Sequence, residues 1–204
     1  MEPSPFASSL DSGGECGVVT NTIFPESVTW RALTHGNVHV LMLNSELSVA
    51  AGSPQWNFTR DALAAVDRAV TPWSLVFFHR PLYFVSASKS GSGSAGVRDA
   101  DFAPLEPLFV EYGVDMVAVG HVHNTFVSCP VNNSVCGAGL PVHICIGNAG
   151  QGITPIQDNN VPAWVLFQKA VYGYATLEAN ATHMQVRLFD DASNSLLYAA
   201  NFTR

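Results

Sequence analysis

Two short histidine motifs, each at the end of an apolar run, are the residues of this chain best suited to metal chemistry. The run LVFF is followed directly by His79, and the run VDMVAVG is followed by His121 and His123. Residues at i and i+2 of an extended chain project to the same side. Ligands of open α/β sheets bind just beyond the carboxyl ends of strands. These three imidazoles therefore predict part of a metal site at one edge of a sheet.

The three histidines do not make a two-metal site by themselves. Two ions about 3.5–4 Å apart normally need a bridging carboxylate and further anionic oxygens, which offset the positive charge. Glu46 and Asp115 are interpreted as solvated or capping residues rather than as catalytic residues. The remaining histidines are interpreted as hydrogen-bonded core residues, because two of them lie inside apolar strands: His35, His39, His143 and His183.

The composition is that of a globular domain, and its charge gives no indication of a polyanionic binding partner. The chain has 204 residues, of which 48% are hydrophobic and 12% charged, so one domain over residues 1–204 is expected. The net charge of −7 comes from scattered residues, which argues against nucleic acid or anionic lipid as a partner. No apolar stretch approaches the ~20 residues of a membrane span.

The N-terminal residues lack the features of a signal peptide, yet other features suggest the secretory pathway. Four Asn-x-Ser/Thr sequons are candidate glycosylation sites: Asn57, Asn132, Asn180 and Asn201. Cys129 and Cys136 bracket the turn-rich segment CPVNNSVC, which predicts a disulfide loop and an oxidising compartment. A zinc pair is the rival interpretation, but the spacing is too long for CxxC. We therefore expect an extracellular, lysosomal or vacuolar full-length protein.

Strand and helix patterns alternate in the first three quarters of the chain. Buried strands are predicted over residues 38–44, 74–78, 114–119 and 141–147. One helix is predicted to begin at Ser53 and Pro54, and another covers residues 105–112. The first helix presents an apolar face that consists of Phe58, Ala62, Ala65, Val66 and Ala69. Residues 1–30 and 85–96 read as loops, the second at the rim of the site.

Beyond residue 172 the pattern changes to strict alternation, interrupted by the turns NAT and DDASN. This pattern predicts three antiparallel strands, over residues 173–179, 183–189 and 195–202. The expected fold class is therefore mixed α/β, with a parallel layer and helices followed by an antiparallel meander.

The order of these segments resembles the purple acid phosphatase group of calcineurin-like metallophosphoesterases. The resemblance is carried by DSGGECGV, GNVHVLMLNSE, AAVDR, TPW followed by HRPLY, VDMVAVGHVH and PVHICIGNAGQG. It implies a partial metallophosphoesterase β-sandwich flanked by helices, corresponding to the C-terminal portion of that catalytic domain. The chain departs from the family pattern in two places. Residues Asn124 to Val127 stand where the family commonly has Ala-Tyr-Glu-Arg, and the loop after HRPLY carries Lys89 but no histidine.

The resemblance implies a function and a set of ligands. His79 and His121 would bind one metal and His123 a second, the pair being iron with zinc, manganese or iron. The implied activity is acid-phosphatase-type hydrolysis of phosphomonoesters. Neither the particular substrate nor the oligomeric state follows from the resemblance.

The family's other ligands belong to the motifs DxG, GDxxY and GNH, which are absent here in matching context. Residues 11–13 spell DxG and residues 36–39 nearly spell GNH, but both lie in segments that match other parts of the family pattern. No catalytic residue is therefore assigned, and the chain is expected to begin after the GNH position, as part of a longer enzyme. The alternative is an inactive fragment that retains at most a weak mononuclear metal site.

Overall fold

The computed structural model describes residues 22, 30–86, 96–150, 152–156 and 159–204. Nearly all of the N-terminal segment predicted as irregular lies outside these residues. Most of the predicted rim loop, including Lys89, also lies outside them.

The described strands are β1 (Arg31–His35), β2 (Val38–Met42), β3 (Trp73–Phe78), β4 (Tyr83–Phe84), β5 (Val97–Arg98), β6 (Met116–Val119), β7 (Thr125–Asn132), β8 (Val135–Cys136), β9 (Val142–Ile146), β10 (Val165–Lys169), β11 (Gly173–Ala179), β12 (His183–Asp190) and β13 (Leu196–Thr203). The described helices are α1 (Pro54–Ala64) and α2 (Glu106–Glu111), the latter preceded by a 3-10 turn over Ala103–Leu105.

The main sheet has a parallel centre with antiparallel strands at its edges. Its order is β1-β2-β3-β6-β9-β7-β10, and β8 pairs with β7. Strands β2, β3, β6 and β9 are parallel neighbours, and they are the four strands that the apolar runs predicted. Helix α1 connects β2 to β3, and α2 lies between β3 and β6. Continuous apolar runs suit these strands because both faces of the sheet are covered.

The β1–β2 hairpin explains why the near-GNH sequence is not a ligand motif. His35 pairs with Val38, so Gly36 and Asn37 form the turn between the two strands. Gly36 has a φ of 55°, a left-handed conformation that glycine adopts without steric cost.

Helix α1 begins as predicted. Ser53 is its N-cap, and the Ser53 hydroxyl accepts a hydrogen bond from the Trp56 backbone N–H at 3.2 Å. Pro54 occupies the first turn, where its missing N–H costs nothing.

The predicted apolar face of α1 is correct only in part: Phe58 and Ala62 are partly buried and pack against the core. The helix buries Gln55, Thr59 and Leu63, and it ends at Ala64, so the later residues of the predicted face lie beyond it. Gln55 is buried because its side-chain amide forms hydrogen bonds with backbone groups of the chain that follows β2. Its Oε1 accepts from the Asn44 N–H at 2.7 Å, and its Nε2 donates to the Asn44 carbonyl at 2.9 Å.

Alternating residues of the main sheet build two cores. One face, including Leu41, Val76 and Val117, packs against the helices. The other face, including Leu75 and Met116, packs against the separate sheet β11-β12-β13. The mixed α/β fold with a C-terminal antiparallel meander is confirmed as three layers of helices, main sheet and small sheet. Among the described residues, none of the helices has the length and apolarity to cross a bilayer.

Asp115 has a structural role that the sequence did not indicate. It was predicted to be solvated or capping, but its side chain is only 14% exposed. Its carboxylate accepts from the Ser74 N–H at 2.7 Å and pairs with Arg68 at 2.8 Å and Arg204 at 2.6 Å. Asp115 therefore ties the end of the chain to the start of the parallel strands.

Candidate metal centre

The two histidine motifs meet because they follow neighbouring parallel strands. Phe78 pairs with Val119 at the ends of β3 and β6, so His79 and Gly120 are the next residues along. The Gly120 N–H donates to the His79 carbonyl at 3.0 Å, which continues the ladder by one bond. The backbone thus fixes the spacing of the two motifs at the sheet edge that the sequence predicted.

The imidazoles of His79 and His121 are in direct contact. His121 Nδ1 lies 3.2 Å from His79 Nε2, and the ring planes are inclined at 77°. Both side chains are exposed to solvent. Imidazole nitrogens bind zinc at about 2.0–2.1 Å, so two of them 3.2 Å apart could share one ion at a bond angle of about 100°. This donor pair therefore fits two ligands of a single metal ion.

His123 is on the same loop but does not complete a larger ligand group. Its backbone N–H donates to Thr154 Oγ1 at 3.1 Å, and its carbonyl accepts from the Thr154 N–H at 2.9 Å. Within residues 30–86, 96–150, 152–156 and 159–204, no three His, Cys, Asp or Glu side chains are placed to hold one ion. The described residues thus fit part of one metal's ligand set and do not fit a complete dinuclear centre.

The electrostatic environment favours neutral imidazoles. Partial desolvation lowers the pKa of His79, with Arg80 and His123 acting in the same direction and Glu46 opposing them. The pKa of His121 is lowered by desolvation first, then by the neighbouring His79 and Arg80. Neutral imidazole is the form that binds a metal ion. Glu46 was predicted to be solvated or capping; its carboxylate is partly exposed and pairs with Arg80 at 2.6 Å.

His121 has an unusual backbone conformation that surrounding residues support. Its φ is 63°, in the left-handed region of backbone conformations that residues other than glycine rarely adopt. Gly147, just after β9, packs behind this loop so closely that a Cβ there would lie 2.1 Å from the Val122 carbonyl oxygen. The thiol of Cys145 also contacts the loop. Sequence reasoning missed both residues; the glycine after an apolar run was the one available signal.

Cys129 and Cys136 are joined by a disulfide with a Cα–Cα distance of 5.8 Å, across the β7–β8 hairpin. The hairpin tip is anchored on buried polar groups. The Ser134 N–H donates to the Tyr83 hydroxyl at 3.0 Å, and that hydroxyl donates to Glu106. Cys129 is buried in the core and Cys136 is exposed, so the disulfide joins the hairpin strand β8 to the interior of β7.

The other predicted residues are spread over the molecule. Of the four sequons, Asn180 and Asn201 are exposed, whereas Asn57 and Asn132 are partly buried. The prediction of hydrogen-bonded core histidines is correct for His39, correct for His143 in its burial alone, and wrong for His35 and His183, which are exposed at strand ends. His39 Nδ1 lies 3.5 Å from the Ser74 hydroxyl. The ring nitrogens of His143 have no hydrogen-bond partner among the described residues.

Two family models match the chain in sequence order. Residues 19–125 match the calcineurin-like phosphoesterase family, and residues 140–197 match the iron/zinc purple acid phosphatase-like protein C family. The first match contains all three predicted metal-binding histidines.

Individual relatives agree with these matches. Probable inactive purple acid phosphatase 1 of Arabidopsis thaliana is 31% identical over 189 residues, covering 85% of this chain and 31% of the relative. Acid phosphatase A of Cryphonectria parasitica is 32% identical over 195 residues, and the match covers 82% of this chain and 37% of that relative. The structure of purple acid phosphatase PPD1 from yellow lupin seeds (Lupinus luteus) superposes with a TM-score of 0.86 at 27% identity, covering 98% of this chain and 38% of that one.

The chain spans about a third of the length of the curated relatives it matches, at 31%, 31% and 30% of the first three. Relatives named as acid phosphatases and relatives named as probable inactive occur at similar identity. The ordered matches over sequence and fold lead to one conclusion: this chain belongs to the calcineurin-like phosphoesterase family and, within it, to the purple acid phosphatase-like group.

Proposed function

We propose that this chain forms part of an acid-phosphatase-type hydrolase of phosphomonoesters. His79 and His121 would hold one metal ion, and His123 would contribute to a second. The supporting observation is the contact between His121 Nδ1 and His79 Nε2 at 3.2 Å, at the ends of adjacent parallel strands. Iron paired with zinc, manganese or iron is the proposed metal content, since imidazole suits all of these ions.

The residues of this chain would position the metal ions and orient the imidazole ligands. Neutral imidazoles at His79 and His121 donate electron pairs without adding charge, and the Gly120 to His79 backbone bond holds their strands in register. Bound metal ions would supply positive charge that polarises the phosphate ester. The anionic ligands needed beside them would come from a part of a longer protein that carries the family's other motifs.

Metal titration of the 204-residue chain tests the ligand assignment directly. Calorimetry with Co²⁺ or Zn²⁺ should show binding that His79→Ala and His121→Ala each weaken at least about tenfold, as expected when one of few ligands is removed. His183→Ala is the matched control, because His183 is also exposed but lies in β12. Equal binding by all four proteins would reject the site.

Activity needs a separate experiment. The chain would be fused to the segment of a related purple acid phosphatase that carries DxG, GDxxY and GNH, and hydrolysis of p-nitrophenyl phosphate would be measured. We expect turnover that His121→Ala abolishes. A fused enzyme that keeps its full rate with alanine at His121 would defeat the proposal.

A catalytically inactive protein with a mononuclear site is the second candidate. It is favoured by the lack of any three-ligand group among the described residues and by the relatives named probable inactive. Binding of one equivalent without turnover in both the chain and the fusion would support it. Two equivalents with turnover would support the phosphatase.

We also propose that the full-length protein enters the secretory pathway and is glycosylated. The disulfide between Cys129 and Cys136 and the exposed sequons at Asn180 and Asn201 support this. Expression in a secreting eukaryotic cell should give a product whose mobility shifts on glycosidase treatment. The double variant Asn180→Gln with Asn201→Gln should lose most of that shift, and an unshifted parent protein would refute the proposal.

A further inference from the structure

The only thiol near the histidine pair, among the described residues, belongs to Cys145 in β9. Its side chain is fully buried and is not part of a disulfide. Its Sγ lies 3.3 Å from the Val122 carbonyl oxygen and 3.5 Å from the Gly120 carbonyl oxygen. These two carbonyls stand on either side of His121, so one side chain of β9 contacts the loop on both sides of a proposed ligand.

The loop bends tightly at this point. The Val122 N–H donates to the Gly120 carbonyl at 2.7 Å, and the Asn124 N–H donates to the Val122 carbonyl at 2.8 Å. This path places His121 at a φ of 63°, which is unfavourable for a residue with a Cβ. Such a conformation persists only where the surrounding contacts hold it.

We propose that Cys145 is a positioning residue, whose thiol donates to the carbonyls flanking His121 and so holds the His121 imidazole against that of His79. This inference rests on the proposed function, because metal binding is the role assigned to the pair. A thiol has one hydrogen, so it donates to one carbonyl at a time, and the Val122 oxygen is the nearer.

Packing alone is the competing explanation, since a buried cysteine also behaves as a small apolar residue. Serine and alanine separate the two roles. Both remove the volume of the sulfur, but only Cys145→Ser keeps a hydrogen-bond donor in the same place. If Cys145→Ala does not fold, Cys145→Val replaces it, because valine fills the space and lacks the donor.

Amide hydrogen exchange of the metal-free protein gives a readout that does not depend on activity. In Cys145→Ala the amides of Val122 and Asn124 should exchange about tenfold faster than in the parent, because their acceptor carbonyls are no longer held. Cys145→Ser should return them close to the parent rates. The amides of β2 and β3 should change little in either variant.

Ile144→Val is the matched control, because Ile144 is the preceding residue of β9 and packs on the opposite face of the sheet. It should speed exchange across the sheet without singling out the loop. Loop exchange in Cys145→Ala that equals the parent's, or that serine does not restore, would overturn the proposal.

Co²⁺ titration adds a second arm. We expect Cys145→Ala to weaken binding about 10-fold or more, as the loss of a residue that orients a metal ligand does, and Cys145→Ser to restore it. If the parent itself binds no Co²⁺, the proposed function fails, while the exchange experiment still decides the role of Cys145.

Discussion

Replacing His143 by methionine should make the fold much less sensitive to acid. His143 lies in β9 without exposed surface, and its ring packs edge-on against that of Tyr83 at a centroid distance of 4.7 Å. Burial lowers the pKa of His143 to about 3, because the charged imidazolium would lose its hydration. Methionine has a similar volume, adapts its shape to a core and carries no titrating group.

The sign and size of the effect follow from proton linkage. In the unfolded chain His143 titrates near its ordinary pKa of 6.5, whereas in the folded protein its pKa is about 3. Between these values the unfolded state binds more protons, so this contribution to stability is complete above the unfolded pKa and is lost as pH falls towards the folded pKa. From about pH 7 to about pH 4.5 the parent should lose roughly 2–3 kcal/mol more than His143→Met, at about 1.4 kcal/mol per pKa unit.

Urea unfolding at the two pH values measures this difference. The fluorescence of the buried Trp73 and Trp164 should change strongly on unfolding. His39, His79 and His121 also have lowered pKa values, but they are present in both proteins and cancel in the comparison. If parent and variant lose stability in parallel on acidification, with equal dependence on urea, the imidazole of His143 is not held neutral by burial.

Three further substitutions test particular contacts. Gly147→Ala should weaken Co²⁺ binding about 10-fold or more, because the new Cβ forces the Val122 carbonyl and the histidine loop away; calorimetry measures this. Replacing Cys129 and Cys136 by serine should lower the free energy of unfolding by about 2.5 kcal/mol, the value for so short a loop, measured in urea. Tyr83→Phe should cost about 1–3 kcal/mol, because the buried partners of the hydroxyl lose it; thermal melts at fixed pH test this.

Each of these predictions has a control. Gly139→Ala introduces a side chain where no atom lies within 4 Å. The φ of 73° makes this change strained too, but the strain lies in the loop before β9, so Co²⁺ binding should stay unchanged. Treating the parent with a reductant should reproduce the serine variant's stability. Tyr198→Phe changes a tyrosine that is only partly buried, so its melting temperature should stay near that of the parent. Controls that change as much as the test variants would contradict the assigned contacts.

Local patterns predicted the parallel strands and the meander, but not the strands that complete the main sheet. Strand β7 was missed because its second half belongs to the segment CPVNNSVC, which was interpreted as turn-rich. Pro130 adds to that impression, since proline is rare inside a central strand. The structure accommodates Pro130 where the β7–β9 register shifts, between Val127 and Pro130. The burial of Gln55 in α1 was missed because it depends on hydrogen bonds from this side chain to the backbone after β2. Tertiary hydrogen bonds of this kind leave no periodic signal.

The same distinction applies to the candidate site. That His79 and His121 lie together could be predicted, because residues that follow adjacent parallel strands emerge at one edge. What holds them could not, since the Cys145 thiol and the Gly147 backbone act through carbonyl groups that any sequence possesses. The register bond from the Gly120 N–H to the His79 carbonyl joins the backbones of the two neighbouring strands. The fold therefore helps to position the pair, and variants of the supporting residues should alter metal affinity even where both imidazoles are intact.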